Sequence, residues 1–251
     1  MNKVFFQISF ICGLLLFWQL ATTYFAIPTY LLPSPLDILN ELEGNRLLIH
    51  SSITIMEAIS GFAMGAALAM ALSLGIFYSK KFELLSYPFL ILSQTTPKIA
   101  IAPLLVMWFG YGILPKIIIA ATISFFPIAI NTVKGLRSVD QEILDVMASY
   151  RATKNETLLR VRIPAALPFI FAGLKIAITL SVIGAVVGEF VGADVGLGYL
   201  IMQSNATLNT PLMFAALVLL GVIGAALFAA IHLIEKKMVR WHPSESWAHG
   251  N

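Results

Sequence analysis

Six stretches of this chain carry about the 20 apolar residues that a helix needs to cross a bilayer. They fall near 4–26, 52–77, 86–108, 114–133, 165–189 and 212–234. No polar segment between them is long enough to fold by itself. The expectation is one all-α integral membrane domain over 1–251, with six transmembrane helices. Composition agrees: 12% of the residues are charged and 59% hydrophobic, whereas soluble domains carry about 25% charged residues. The first run follows Lys3, exceeds the roughly 7–15 apolar residues of a secretory signal and lacks a small-x-small cleavage site, so it reads as a retained span. The third is the least regular, because SQTTPKIAIAP places polar groups, Lys98 and two prolines inside it.

Lysine and arginine positions set the expected orientation. With the N-terminus in the cytoplasm, that side holds Lys3, Lys80, Lys81, Lys134, Arg137, Arg151, Lys154, Arg160, Arg162, Lys236, Lys237 and Arg240. Arg46 and Lys116 fall on the external side, while Lys98 and Lys175 lie within spans. The 189–211 connection has neither lysine nor arginine. The net charge of +3 is thereby read as a topology signal rather than a nucleic-acid footprint, with both termini cytoplasmic.

The cytoplasmic segment GLRSVDQEILDVMASYRATKNETLLRVRIP, 135–164, carries two helix-start patterns. Ser138 with Gln141 and Thr153 with Glu156 each form a potential capping box. Ile143, Val146, Met147 and Tyr150 share one stripe; Leu158 and Val161 share another, opposite Glu156 and Arg160. Pro164 disfavours helical geometry at Ile163, so the second helix should end or bend there. Two short amphipathic helices with a tight joint at Arg151–Thr153 are expected. Such a unit is either a loop whose cations touch anionic lipid or a docking element for a cytoplasmic partner.

Other polar residues stand out against the apolar background. Gln94, Thr95 and Lys98 in the third run and Asn131 in the fourth are candidates for a translocation path, because ionisable and polar groups inside a membrane usually face a bundle interior or aqueous route. Lys98 has the alternatives of snorkelling to an interface or of lying at the membrane surface with the span boundary elsewhere. Lys175 lies about 15 Å into its span at about 1.5 Å per residue, with snorkelling to the cytoplasmic interface as its bland role. Glu189 is either a gate or pathway residue, or an interfacial carboxylate or cap for the turn that follows. Gly61, Gly65, Ala69 and Ser73, four apart, suit close helix packing. The single cysteine, Cys12, excludes an intrachain disulfide. His50, His232, His242 and His249 lack metal-ligand spacing. No G-x-x-x-x-G-K-[ST] loop is present and no nucleophile–base pairing is legible. No catalytic residue, metal or bound cofactor is expected.

With these features in order, the chain resembles a known family. LLPSP (31–35), TPKIAIAPLLVMWFGYG (96–112), FFPIAINTVKGLRSVD (125–140), RIPAALPFIFAGLKIA (162–177), GEFVGADVGLGYLI (188–201) and Arg240–Trp241 are similar to the inner-membrane permeases of binding-protein-dependent ABC importers, in the nitrate, sulfonate and taurine group. ASYRAT and LSVIGAVVGEFVGA are closer to the branch associated with thiamine-pyrimidine precursors and riboflavin. The resemblance makes 138–163 the coupling segment that docks on an ATPase. Register from Ile163–Pro164 places Asp145 at the motif's Glu, Val146 and Met147 at its two Ala positions and Arg151 at its Gly. Coupling residues are then Asp145, Met147, Ala148, Ser149, Arg151, Ala152, Thr153, Glu156, Arg160 and Pro164. Arginine makes a left-handed joint costly, so either the joint is right-handed or the helices run nearly continuous.

The resemblance further implies a dimer of this chain in the bacterial cytoplasmic membrane. Two ATPase subunits would hold ATP and Mg, and an external binding protein would dock near Pro33, Ser34, Asp194, Gly196 and Gly198. The solute would be small and polar or heteroaromatic: a thiamine-pyrimidine precursor or riboflavin first, a nitrate-, sulfonate- or taurine-type anion next. The competing reading is an ion-coupled secondary transporter. That class more typically shows paired ionisable groups at the midplane and an internal repeat.

Overall fold

The computed structural model describes residues 2–42 and 45–239, and among these every regular element is helical. The helices are α1 (Asn2–Tyr24), α2 (Pro35–Glu41), α3 (Asn45–Tyr78), α4 (Lys80–Thr95), α5 (Ala102–Phe109), α6 (Ile113–Leu136), α7 (Gln141–Ser149), α8 (Lys154–Thr157), α9 (Ile163–Gly192), α10 (Leu197–Ala206) and α11 (Thr210–Met238). Arg240–Trp241, His242 and His249 lie outside the described residues.

Five described helices are long and apolar enough to cross a membrane: Phe5–Tyr24, Arg46–Tyr78, Ile113–Leu136, Lys154–Gly192 and Thr210–Met238. The expected third span, 86–108, is not one helix. α4 stops at Thr95, and Thr96 turns extended at φ −73°, ψ 128°, because the ring of Pro97 disfavours helix at the residue before it. A 3₁₀ turn over Lys98–Ile101 leads into the short α5. Gly110 then takes φ +77°, a left-handed conformation natural to glycine, and α6 begins three residues later.

α6 is the central helix, held between α3 and α9. Small residues permit the approach. A β-carbon on Gly61 would collide with Ala120, and one on Gly65 would sit 2.5 Å from Ser124 Oγ and 2.7 Å from the Ala121 carbonyl. On the other flank, a β-carbon on Gly184 would sit 2.6 Å from Ala120 Cα. Such backbone proximity gives van der Waals contact that larger side chains would block. Further along α3, Ala69 and Ser73 are fully buried, and the Ser73 hydroxyl donates to Ala69 O at 2.7 Å. The four-residue spacing read from the sequence is thus a packing seam.

A second core forms where α10 and α11 meet α9, from Val182, Ala185, Leu197, Leu200, Ala215 and Ala216, with Ile38 of α2 and Leu47 of α3. α2 is fixed by a reciprocal box in which Ser34 Oγ accepts from Asp37 N at 3.2 Å while Ser34 N donates to Asp37 Oδ2 at 3.0 Å. α1 leaves most of its apolar surface uncovered, including Phe5, Phe10 and Phe17, as suits a helix solvated by lipid.

Candidate coupling and translocation sites

The segment between α6 and α9 is built from local hydrogen bonds. Ser138 does not cap α7: its hydroxyl donates to Gly135 O at 2.8 Å, and Asp140 occupies the N-cap without a side-chain bond. The first expected capping box is therefore absent, and Gln141 instead donates to Asp145 Oδ1 at 2.9 Å. The Thr153–Glu156 box is present, with Thr153 N donating to Glu156 Oε2 at 2.8 Å and Glu156 N to Thr153 Oγ1 at 3.2 Å.

Between the helices, Arg151 has φ +53°. Ala152 N donates to Met147 O at 3.0 Å and Arg151 N to Ala148 O at 2.9 Å, the paired bonds of a Schellman motif. Both expected geometries for this joint are thus wrong. It is left-handed despite the arginine, because two backbone bonds on one side and a capping box on the other over-determine it. The steric cost is about 1–2 kcal/mol.

Pro164 does not end the second helix. α8 passes through a π segment, Leu158–Arg162, into α9, with Ile163 N donating to Leu158 O. A wider turn relieves the clash that a proline ring makes with the carbonyl four residues earlier. Thr153 thus starts a helix that runs unbroken to Gly192. Leu158 is buried, but Ile143 and Val146 of α7 and Tyr150 at its C-cap are exposed. Asp145, Ala148, Ser149, Arg151, Thr153, Glu156 and Arg160 are also exposed, and Met147, Ala152 and Pro164 are half-buried. Hydrogen bonds help tie this end to the body: Tyr78 donates to Asn155 Oδ1 at 2.8 Å, and Arg162 donates to Leu136 O at 2.6 Å.

At the opposite end of α9 lies a buried polar cluster that the sequence reading missed. Lys116 Nζ pairs with Glu57 Oε1 at 2.9 Å, both essentially inaccessible. Glu189, also buried, accepts from the Thr54 hydroxyl at 2.6 Å and from Gly198 N. Leu197 N donates to Thr54 Oγ1 at 2.9 Å. His50 Nδ1 lies 2.9 Å from Gly196 O and 3.0 Å from Gly196 N, so its tautomer decides which bond forms. Glu189 thereby caps the first turn of α10. Gly196 and Gly198 leave room for it, since a β-carbon on either would strike its side chain.

Lys116 is accordingly not an external surface charge. It also lines a cavity of about 550 Å³ with Tyr111, Phe190 and Asp194. A signal for the cluster did exist: His50, Thr54 and Glu57 fall at i, i+4 and i+7, one helical stripe, and a carboxylate within a span calls for a partner.

Among the expected path residues, the side chains of Gln94 and Thr95 lie outside the described residues. Lys98 stands over the Phe126 ring, 4.4 Å from its centroid, in an open cleft of about 440 Å³. Asn131 donates to Pro127 O at 2.8 Å within α6 and is not brought to that cleft. Glu189 belongs to the separate cluster above. Lys175 has a partner rather than a free reach to the interface: its Nζ lies 2.7 Å from Glu235 Oε2 on α11, with His232 Nδ1 at 3.3 Å from the same oxygen. Of the expected docking residues, Asp194 is exposed and Ser34 half-buried, whereas Pro33, Gly196 and Gly198 are buried within the chain.

A family model described as "Binding-protein-dependent transport system inner membrane component" matches residues 52–240. The chain belongs to this family. It is a membrane permease subunit of an ABC importer and not itself an enzyme, in a class that works with ATPase subunits and a substrate-binding protein. The permease is 36% identical to the formylaminopyrimidine transport permease protein ThiX of Halalkalibacterium halodurans, over 94% of this chain and 95% of that one. It is 37% identical to the riboflavin transport system permease protein RibX of Chloroflexus aurantiacus, over 92% and 88%. Identity to a putative aliphatic sulfonates transport permease, SsuC of Bacillus subtilis, is 31% over 90% and 84%. A chain of the MetNI methionine ABC transporter in an inward-facing conformation superposes with a TM-score of 0.67 at 19% identity, over 76% of this permease and 96% of that chain. That likeness concerns the fold.

Proposed function

We propose that two copies of this permease form the path of an ABC importer for a small heteroaromatic solute, a thiamine-pyrimidine precursor or riboflavin. The higher identity to the pyrimidine and riboflavin permeases than to the sulfonate permease supports that solute class. Two partner ATPases hold ATP and Mg, and each grips one 138–163 segment. An extracytoplasmic binding protein delivers solute to the side that carries Asp194. Both termini lie in the cytoplasm of a bacterial cell. The pairing of Lys116 with Glu57 removes one of the two cations otherwise assigned to the external side, which favours this orientation. The interrupted α4–α5 unit supplies the sixth crossing, since broken helices are tolerated where they line a cavity.

One observation carries the mechanical reading. The exposed apolar stripe Ile143–Val146–Tyr150 is joined, through the Arg151 joint and the Thr153 box, to a helix that continues into α9. Closure of the ATPases on ATP binding displaces α7. The continuous α8–α9 rod carries that displacement into the bundle and switches the path between its two faces.

The test is uptake into proteoliposomes containing the permease with its cognate ATPase and binding protein. Labelled formylaminopyrimidine or riboflavin should accumulate only with ATP on the ATPase side. Uptake of alkanesulfonate or nitrate alone would refute the solute class. Uptake driven by an ion gradient without the ATPase would establish a secondary transporter and refute the mechanism.

A further inference from the structure

We infer that the open cleft at the break between α4 and α5 is a solute-contact subsite, shaped for a flat heteroaromatic ring with an acceptor atom and an N–H along one edge. This deepens the importer reading and rests on it. The cleft is lined by Thr96, Lys98 and Ile99 at the break, by Phe126 and Ile130 of α6 and by Ile183 of α9, among others.

Its polarity is confined to one place. Among the described residues no carboxylate lies within ion-pair distance of Lys98; its one contact of note is the face of Phe126, 4.4 Å away. A partly buried ammonium in apolar surroundings needs acceptors, and a ring quadrupole supplies only part of that need. The ammonium therefore has donors to spare. Thr96 already donates to Leu92 O at 3.2 Å, which leaves the lone pairs of its oxygen toward a ligand N–H. A flat ring that offers an acceptor, a ring nitrogen or a carbonyl oxygen, with an N–H beside it matches this pair. The aliphatic wall covers the body of such a ring, whereas nitrate would leave that wall wet.

The volume of about 440 Å³ falls in the range of small-molecule sites. Ile183 and Leu180 belong to the helix that runs unbroken from the coupling segment. A shift of that helix alters one wall of the cleft, so the subsite would hold solute in one state and release it in the other.

The experiment uses the permease–ATPase complex in nanodiscs without the binding protein, with riboflavin and radiolabelled formylaminopyrimidine as probes. Wild type should bind at least one of them saturably. Lys98→Met should weaken binding tenfold or more, Lys98→Arg should retain most of it, and Leu180→Trp, which fills the cleft, should abolish it. Retained co-purification of the ATPase confirms that each variant is folded. Two outcomes overturn the subsite alone: equal binding by wild type and Lys98→Met, or a phospholipid co-purifying in the cleft that neither probe displaces, with ATP-driven uptake intact in both cases. If wild type shows no ATP-driven uptake of either probe, the importer reading of the solute falls, and the subsite falls with it.

Discussion

The two ends of α9 invert each other's chemistry. At one end polar groups are buried and answered inside the chain: Lys116 by Glu57, Glu189 by Thr54 and the first turn of α10. At the other, apolar groups are exposed and unanswered: Ile143 and Val146 stand, with Tyr150 at the C-cap, on a short helix that buries nothing of its own. A buried cluster paired within the chain fixes a fold. The exposed apolar stripe beside the strained, over-determined joint is the surface we propose for the ATPase. The contrast separates what holds this permease together from what, on the proposed mechanism, moves it.

The largest effect should come from breaking the buried pair. Lys116→Met leaves Glu57 uncompensated, a loss of about 3–5 kcal/mol, read as a collapse of the thermal unfolding temperature in detergent. Lys116→Met with Glu57→Leu should recover part of it; an unchanged single variant would mean that the pair is not buried in the membrane. Gly198→Ala comes next. Its β-carbon would lie 2.8 Å from Glu189 Oε2 and 2.9 Å from Val186 O, and overpacking of this kind costs about 1–3 kcal/mol. A neutral result would show that the α10 cap is looser than described.

Arg151→Gly works in the other direction. It relieves the left-handed strain and should raise stability by about 1 kcal/mol; a loss would mean that the arginine side chain anchors the joint. Val146→Asp should move stability least, within about 0.5 kcal/mol, yet abolish ATP-driven uptake and ATPase co-purification. Full uptake by that variant would erase the difference between the two ends.

Much of this was legible in the sequence, for identifiable reasons. Long apolar runs gave five of the helices, because span length is set by the bilayer rather than by tertiary contacts. The third run failed as one helix at Thr96–Pro97, a local steric effect that hydropathy averages away. The Thr153–Glu156 box was readable because both partners lie within one turn. The Ser138–Gln141 pattern was equally local, but Ser138 found a competing carbonyl on the turn before it. The buried cluster was not read. Its partners stand 59 and 135 residues apart, and Lys116 was counted among the external cations. The stripe of His50, Thr54 and Glu57 was the available clue. The joint at Arg151 was misjudged because residue preference was weighed without the hydrogen bonds that outvote it.

The most direct test of the central claim asks whether α7 is covered by the ATPase. In a Cys12→Ser background, Tyr150→Cys places one thiol on the exposed stripe. Maleimide labelling of the permease alone should be rapid, and addition of the ATPase should suppress it strongly, while a thiol placed at Asp194 on the opposite end should label equally in both conditions. Equal labelling of position 150 with and without a bound, active ATPase would contradict the account.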